Sequence, residues 1–271
     1  MISIIVSVYK NLDFLELVLM SLERQKYKEF EVIIAEDANE NSMKEFIKNY
    51  SMNSKLKITL VSQEDIGFRK NKILNKAIFS SLRDKLIFID GDCVLHKNFI
   101  FEYAKRLKNK MCYFGRRAHP SKRITEKLIS TKKLVWTNIF ILLLTSTRRK
   151  EEVFYIPWVK TTNRKEHIYG CNFGVMKSDL FEINGFDEDY EGPYFGEDTD
   201  LEMRLRKNGV KFECIKHKAV QYHLYHSKGD RKKDWENNEK LYNDKNNSNI
   251  VYCLNGIDKY SLGEKIDKIK Y

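Results

Sequence analysis

The sequence has few cysteines and no sign that they pair. Five occur, at 93, 112, 171, 214 and 253; they are scattered, odd in number and form no Cys-x-x-Cys motif. That pattern argues against a disulfide framework or a zinc–thiolate site and for reduced thiols in a cytoplasmic setting. A membrane-spanning run is missing as well. The apolar stretch Leu134–Thr145 is about 12 residues long, whereas a bilayer needs roughly 20. The opening residues, Met1 to Val8, carry no basic segment and no small-residue cleavage site, so they read as a buried strand, not a signal peptide. There are no internal repeats. Acids are outnumbered by 49 Lys and Arg to 38, a formal charge of +11, which suggests anionic partners. No basic–aromatic motif of a nucleic-acid-binding type accompanies that charge, so nucleic acid is not an expected partner.

What is present is enough apolar material for a real core: 42% hydrophobic and 13% aromatic residues in a chain of 271. Ile2–Val8 is β-branched and nearly continuous in apolar residues, as a central parallel strand requires. Leu12–Gln25 follows with helical spacing. Phe30–Ala35, Lys57–Val61 and Lys85–Ile89 read as further strands, and Ser42–Tyr50, opened by a serine cap, and Arg69–Leu82 as helices. Alternation of this kind predicts a parallel, doubly wound α/β sheet with chemistry at the carboxyl ends of its strands. Tyr9, Asp37 and Asp90 fall at such ends.

After Lys105 the composition changes. Residues 105 to 133 hold eleven Lys and Arg against the single acid Glu126, and Arg148, Arg149 and Lys150 follow the apolar run. This segment reads either as a core or lid helix with solvated basic flanks, or as an interfacial element touching an anionic membrane surface. Beyond it, Ile168–Lys177 is strand-like, Ser178–Ile183 a short helix, Asp198–Asn208 a helix closed by Gly209, and Phe212–Ile215 and Ala219–Tyr222 short strands. From Ser227 the chain reads as a helical or partly ordered tail.

Three groups of residues carry chemistry. Asp90-Gly91-Asp92 places two carboxylates at the end of a buried strand, hard oxygens suited to Mg²⁺ or Mn²⁺ on a diphosphate. Glu197, Asp198 and Asp200 lie at a helix start, where they either cap free N–H groups or supply a general base against an acceptor hydroxyl. His223 and His226 follow a strand, and imidazole can complete a Mn²⁺ sphere begun by oxygen ligands.

These motifs together resemble a family 2 glycosyltransferase of the GT-A fold. Ile4 to Asn11, Glu36-Asp37, Gly67-Phe-Arg69 through Asn75 and Leu86 to Cys93 resemble its nucleotide-binding half. Gly170 through Arg206 resembles the acceptor half shared by bacterial chondroitin polymerases and animal β-1,4-galactosyltransferases. The resemblance implies a Rossmann-like, mostly parallel central sheet flanked by helices. It divides the chain into a catalytic domain over 1–226 and a C-terminal tail over 227–271. Within the former lie a nucleotide-sugar half (1–115), a basic and apolar insertion (116–167) and an acceptor half (168–226).

By the same resemblance Tyr9 and Asp37 contact the nucleoside, and Arg69 and Lys72 lie near uracil or phosphate. Asp90 touches ribose or metal, and Asp92 ligates the metal. Asp198 is the base and Glu197 holds the sugar or acceptor. In the galactosyltransferases a Met-x-x-His pair completes the metal site, and His223-x-x-His226 stands at that place. Two departures concern the sugars: Glu36-Asp37-Ala38-Asn39 replaces Asp-Asp-Gly-Ser, and Gly192 to Gly196 lacks the family's tryptophan, keeping Tyr194 and Phe195 as an aromatic platform.

The expectation is therefore an inverting transfer from a UDP-sugar to a glycan or lipid-linked glycan acceptor, in bacterial surface polysaccharide or lipooligosaccharide synthesis at the inner face of the membrane. Two rivals differ in chemistry. A nucleotide-sugar-binding protein without transfer activity would dispense with the Glu197-Asp198 pair. A metal-dependent nucleotidyltransferase gives no reason for that pair or for His223-x-x-His226.

Overall fold

In the computed structural model, residues 1–160, 167–192, 195–227 and 232–271 are described. Within them eleven strands and ten α-helices occur. The first half runs β1 (Ile2–Val8), α1 (Leu12–Glu23), β2 (Phe30–Glu36), α2 (Asn41–Met52), β3 (Ile58–Ser62), α3 (Lys70–Ser80), β4 (Lys85–Asp90), β5 (Cys93–Leu95) and α4 (Phe99–Ala104). It continues through β6 (Met111–Phe114), β7 (Arg117–Ala118), α5 (Lys122–Thr131), α6 (Ile139–Leu144), β8 (Asn172–Met176), α7 (Lys177–Phe181), α8 (Glu197–Lys207), β9 (Lys211–Cys214) and β10 (Gln221–His223). It ends with α9 (Lys232–Asn247), α10 (Asp258–Ser261) and β11 (Asp267–Lys270).

Eight strands form the main sheet in the order β11-β3-β2-β1-β4-β8-β6-β9. The four strands from β3 to β4 are mutually parallel; β8 runs antiparallel to β4 and to β6, and β11 antiparallel to β3. Period-2 alternation sends side chains to two faces. Ile4, Val6, Val32 and Ile34 pack with α1, α2 and α4 on one face. Ile5, Ile33 and Phe88 pack with α3, α7 and α8 on the other. Both faces are covered, which explains the near-continuous apolar runs. Each fully buried branched side chain there contributes roughly 1.5–3 kcal/mol.

Local chemistry sets where the helices begin. Asn11 caps α1 by accepting the Phe14 N–H at 3.0 Å. The expected serine cap of α2 does not form. The helix starts earlier, at Asn41, because the buried Glu36 carboxylate takes the Glu40 N–H at 3.1 Å and fixes the chain there. The C-terminal segment expected as a tail contains α9, but it also folds back. Cys253, Ile257 and Tyr260 are buried, and β11 adds an antiparallel edge to the main sheet.

A smaller sheet, in the order β5-β10-β7, stands beside the end of β4. It carries a satellite core built from Phe14, Leu17, Val94, Ile124, Leu128, Leu142, Tyr222 and Leu224. The apolar run at 134–145 is divided between a 3₁₀ turn, Leu134–Thr137, and α6. Leu134 and Leu142 enter the satellite core, while Phe140 is 72% exposed and Leu144 89%. No described helix is long and apolar enough to cross a membrane.

Candidate active site

The parallel strands deliver their carboxyl ends to a cleft of about 630 Å³. Ser7, Val8 and Tyr9 line it from β1, Asp37 from the end of β2, Gly67, Phe68 and Lys70 from the approach to α3, and Asp90, Gly91 and Asp92 from β4. A second cavity of about 1010 Å³ opens beside it, lined by Gly170, Glu197 and Asp198 and also by Arg117, His119, Arg148 and Arg149. Tyr9, Phe68, Lys70, Asp90, Asp92 and His226 border both.

Asp92 is positioned by strand pairing. In the β5–β10 register His223 lies opposite Cys93, and the Asp92 carbonyl accepts the Leu224 N–H at 2.9 Å. The imidazole Nε2 atoms of His223 and His226 thereby each reach 3.2 Å from Asp92 Oδ2. Burial opposes ionisation of Asp92, but the hydrogen bond from His226 and the charge of His223 outweigh it and hold the carboxyl at about 2. The two histidines respond differently. Burial pulls His223 down, whereas the more exposed His226 is raised by its bond to Asp92.

Asp90 is held by the Ser7 hydroxyl at 2.7 Å and by Lys70 Nζ at 3.0 Å. The same ammonium lies 2.9 Å from Glu197 Oε1. Burial alone would depress the Lys70 pKa; the charges of Asp90 and Glu197 prevail and raise it well above its usual value. Glu197 and Asp198 are both raised, chiefly by burial, which Lys70 offsets only in part. Asp198 Oδ2 accepts the Gly170 N–H at 3.0 Å, and Glu197 Oε2 is buried without a hydrogen-bond partner. An orphan acceptor of this kind is costly unless a ligand donates to it.

The acids at the start of α8 thus have different uses. Asp200 turns inward, where Arg204 Nε and Nη2 reach its Oδ2 at 2.8 and 2.7 Å, a buried structural pair. Glu197 and Asp198 face the cavity. The turn before them requires Gly196: its φ is +103°, and an added Cβ would lie 2.2 Å from the Tyr190 ring. Asn71 and Asn75 of α3 tie the two halves together by donating to the carbonyls of Asp187 and Phe186, each at 2.7 Å.

At the end of β2, Asp37 Oδ1 accepts from Gln63 at 2.6 Å and Oδ2 accepts the Arg69 N–H at 2.8 Å. Its carboxylate therefore also anchors the loop before α3. Tyr9 is exposed at the rim, its hydroxyl 3.3 Å from Asp65. Arg69 directs its guanidinium to the Glu64 carbonyl, and Lys72 pairs with Glu264 at 2.9 Å; neither lines the two cavities. The cation that does is Lys70, which sequence reasoning passed over. Arg117 and His119 were also passed over. Of the aromatic platform, Phe195 packs on Trp235 and Tyr242; Tyr194 lies outside the described residues.

The sheet order and the paired cavities at its strand ends define a GT-A fold. The profile of Glycosyl transferase family 2 matches residues 3–173, and the chain belongs to that family. A second profile, the N-terminal domain of galactosyltransferase, matches residues 155–227. S. aureus TarS in complex with UDP-GlcNAc superposes with a TM-score of 0.57 at 15% identity, covering 84% of this chain and 59% of that one. The mannosyltransferase PcManGT from Pyrobaculum calidifontis, in complex with GDP-Man and Mn²⁺, gives 0.55 at 16% identity, covering 84% and 58%. The chain thus spans about three fifths of the length of these solved structures. No curated protein matches it.

A divalent cation is implied by the fold, and the residues present fit one. Asp92, His223 and His226 offer one carboxylate oxygen and two imidazole nitrogens, all within 4.8 Å of one another; all three line the larger cavity, and Asp92 and His226 also border the smaller cleft.

Proposed function

We propose that this protein is an inverting glycosyltransferase that moves a sugar from a UDP-sugar to a hydroxyl of a glycan or lipid-linked glycan. The observation that carries the reading is the single wall, Asp90–Lys70–Glu197, between a nucleotide-sized cleft and an acceptor-sized cavity. A reaction joining two substrates needs its reacting atoms at such a shared border.

In this reading Tyr9 covers the base at the rim of the cleft, and Asp37 accepts from the uracil imide while fixing Arg69. Arg69 and Lys72 act on the nucleotide side, though Lys70 is the cation nearest the reacting groups. Asp90 contacts the ribose. Asp92, His226 and His223 would hold the metal; the mixed nitrogen and oxygen set favours Mn²⁺ over Mg²⁺, which prefers oxygen alone. When bound, that ion supplies Lewis-acid neutralisation of the leaving diphosphate. Asp198 accepts the proton of the attacking hydroxyl, helped by a pKa that burial raises toward the working range. Glu197 Oε2 accepts a second acceptor hydroxyl. Lys70 favours the ionised form of Glu197 against the effect of burial and orients it for this contact. One displacement from the face opposite UDP inverts the anomeric centre.

We further place the enzyme at the cytoplasmic face of a membrane, in surface polysaccharide or lipooligosaccharide synthesis. Exposed Val135, Phe140 and Leu144 beside Lys132, Lys133 and Lys150 support peripheral contact with an anionic leaflet. The primary test is UDP release from a panel of nucleotide sugars, with MnCl₂ and with EDTA. Metal-dependent release from at least one UDP-sugar is expected; its absence from all of them would sink the reading.

A further inference from the structure

The two cavities differ in the charge of their walls. Each acid near the reacting border is engaged through at least one oxygen: Asp90 and Glu197 by Lys70, Asp92 by the two histidines, Asp198 by the Gly170 N–H, which leaves Glu197 Oε2 open. The larger cavity also carries a basic group, lined by Arg117, Lys122, Arg148 and Arg149. None of these four lines the smaller cleft, where Tyr9 and Asp37 lie, although the candidate metal ligands Asp92, His223 and His226 share the larger cavity with them.

Their placement is built by the fold. His119 and Arg148 exchange backbone hydrogen bonds at 3.0 and 2.9 Å, which brings residues 117–122 against 146–149. The His119 ring lies 5.2 Å from that of His223, so the basic wall begins one ring away from the candidate metal ligands. Arg149 sits at φ +52°, a left-handed conformation that side chains seldom adopt, which aims consecutive arginines at one cavity. Arg117 is occupied, against Cys171 Sγ at 3.0 Å and the Tyr169 ring. Arg148 and Arg149 form no ion pair among the described residues, and Lys122 meets only Glu126, at 4.0 Å. Guanidinium forks left open beside a saccharide-sized cavity match the planar oxyanions of phosphate or carboxylate.

We propose that the acceptor carries an oxyanion, phosphate or carboxylate, seated on Arg148, Arg149 and Lys122 while its hydroxyl meets Asp198. This rests on the transferase reading above and names its acceptor class. The test is calorimetric titration of the full chain, preloaded with UDP and MnCl₂, with neutral mannopentaose, mannopentaose 6-phosphate and a hyaluronan tetrasaccharide. At least one charged probe is expected to bind ten-fold or more tightly than the neutral one, and which of the two does so distinguishes phosphate from carboxylate. R148Q/R149Q is expected to erase the preference, R148K/R149K to keep part of it, and both to retain wild-type UDP–Mn²⁺ affinity and thermal midpoint. Equal binding of all three probes, binding of none, or a preference that survives R148Q/R149Q overturns the proposal. In the last case, loss of binding to phosphatidylglycerol vesicles by the variant would assign the arginines to a membrane. UDP release measured on the same proteins tests the transferase reading separately, because it requires no anionic acceptor.

Discussion

Lys70 Nζ lies 2.9 Å from Glu197 Oε1, a contact that joins the start of the third helix to the start of the eighth across the shared wall. Removing this half-buried ammonium leaves two carboxylates without their counter-charge, a loss on the order of 2 kcal/mol. Lys70→Met is therefore expected to lower the unfolding free energy by about that amount and transfer by about 100-fold, with Lys70→Arg recovering part of both. Chemical denaturation and initial-rate assays check the two effects. Unchanged stability in Lys70→Met would show that the contact is not held in solution.

Asp198→Asn keeps shape and removes the proposed base. Turnover is expected to fall about 10²- to 10⁴-fold with UDP affinity within a factor of three. Because burial raises the Asp198 pKa, its carboxyl is protonated at a higher pH than a free aspartate. A base works deprotonated, so the acid limb of kcat/KM should lie above the usual aspartate range, with rate lost as pH falls through it. An unshifted limb would assign the proton to another group.

The triad at Asp92 predicts cooperative loss of metal. His226→Ala and His223→Ala should each weaken Mn²⁺ binding about ten-fold or more, and the double variant should abolish it, as read by Mn²⁺ electron paramagnetic resonance. Wild-type Mn²⁺ affinity in the double variant would remove both histidines from the site.

His96 links pH to stability away from the site. Burial first, then Lys97, Lys26 and Arg24, depress its pKa from 6.5 to about 4, while it stacks on Tyr155 at 4.7 Å. Its neutral form belongs to the folded state, so the stabilisation is complete above pH 6.5 and drains away as pH falls toward 4. A loss of about 1–3 kcal/mol across that window follows from roughly 1.4 kcal/mol per pH unit. Denaturation midpoints at pH 7 and 4.5 should differ less in His96→Phe than in the wild type; an equal difference would point to other groups.

The parts of the fold that were legible in sequence are those where one signal dominates. The first four strands are buried on both faces, so apolar continuity marked them to within a residue or two. Residues 116–167 resisted because β7 has two residues, and the apolar run divides between a 3₁₀ turn and a helix with exposed Phe140 and Leu144. The site followed the same rule. Asp92, His223 and His226 are brought together by strand register, a grouping that the resemblance to the galactosyltransferases implied. Lys70 and Lys72 were harder to separate. At 100° per residue they point to opposite sides of one helix, and only the packed structure reveals that Lys70 faces the strand ends. Arg117 and His119 share a face by two-residue alternation, but their strand is too short to announce itself.

One consequence of the β5–β10 pairing concerns the order of synthesis. Asp92 emerges from the ribosome long before His223 and His226. A nascent chain could therefore assemble the first four parallel strands and the nucleoside-facing cleft early. The full set of nitrogen and oxygen ligands proposed for the metal exists only once the chain beyond residue 226 has been made and has closed the smaller sheet, so metal retention at this site would report completion of folding rather than its beginning.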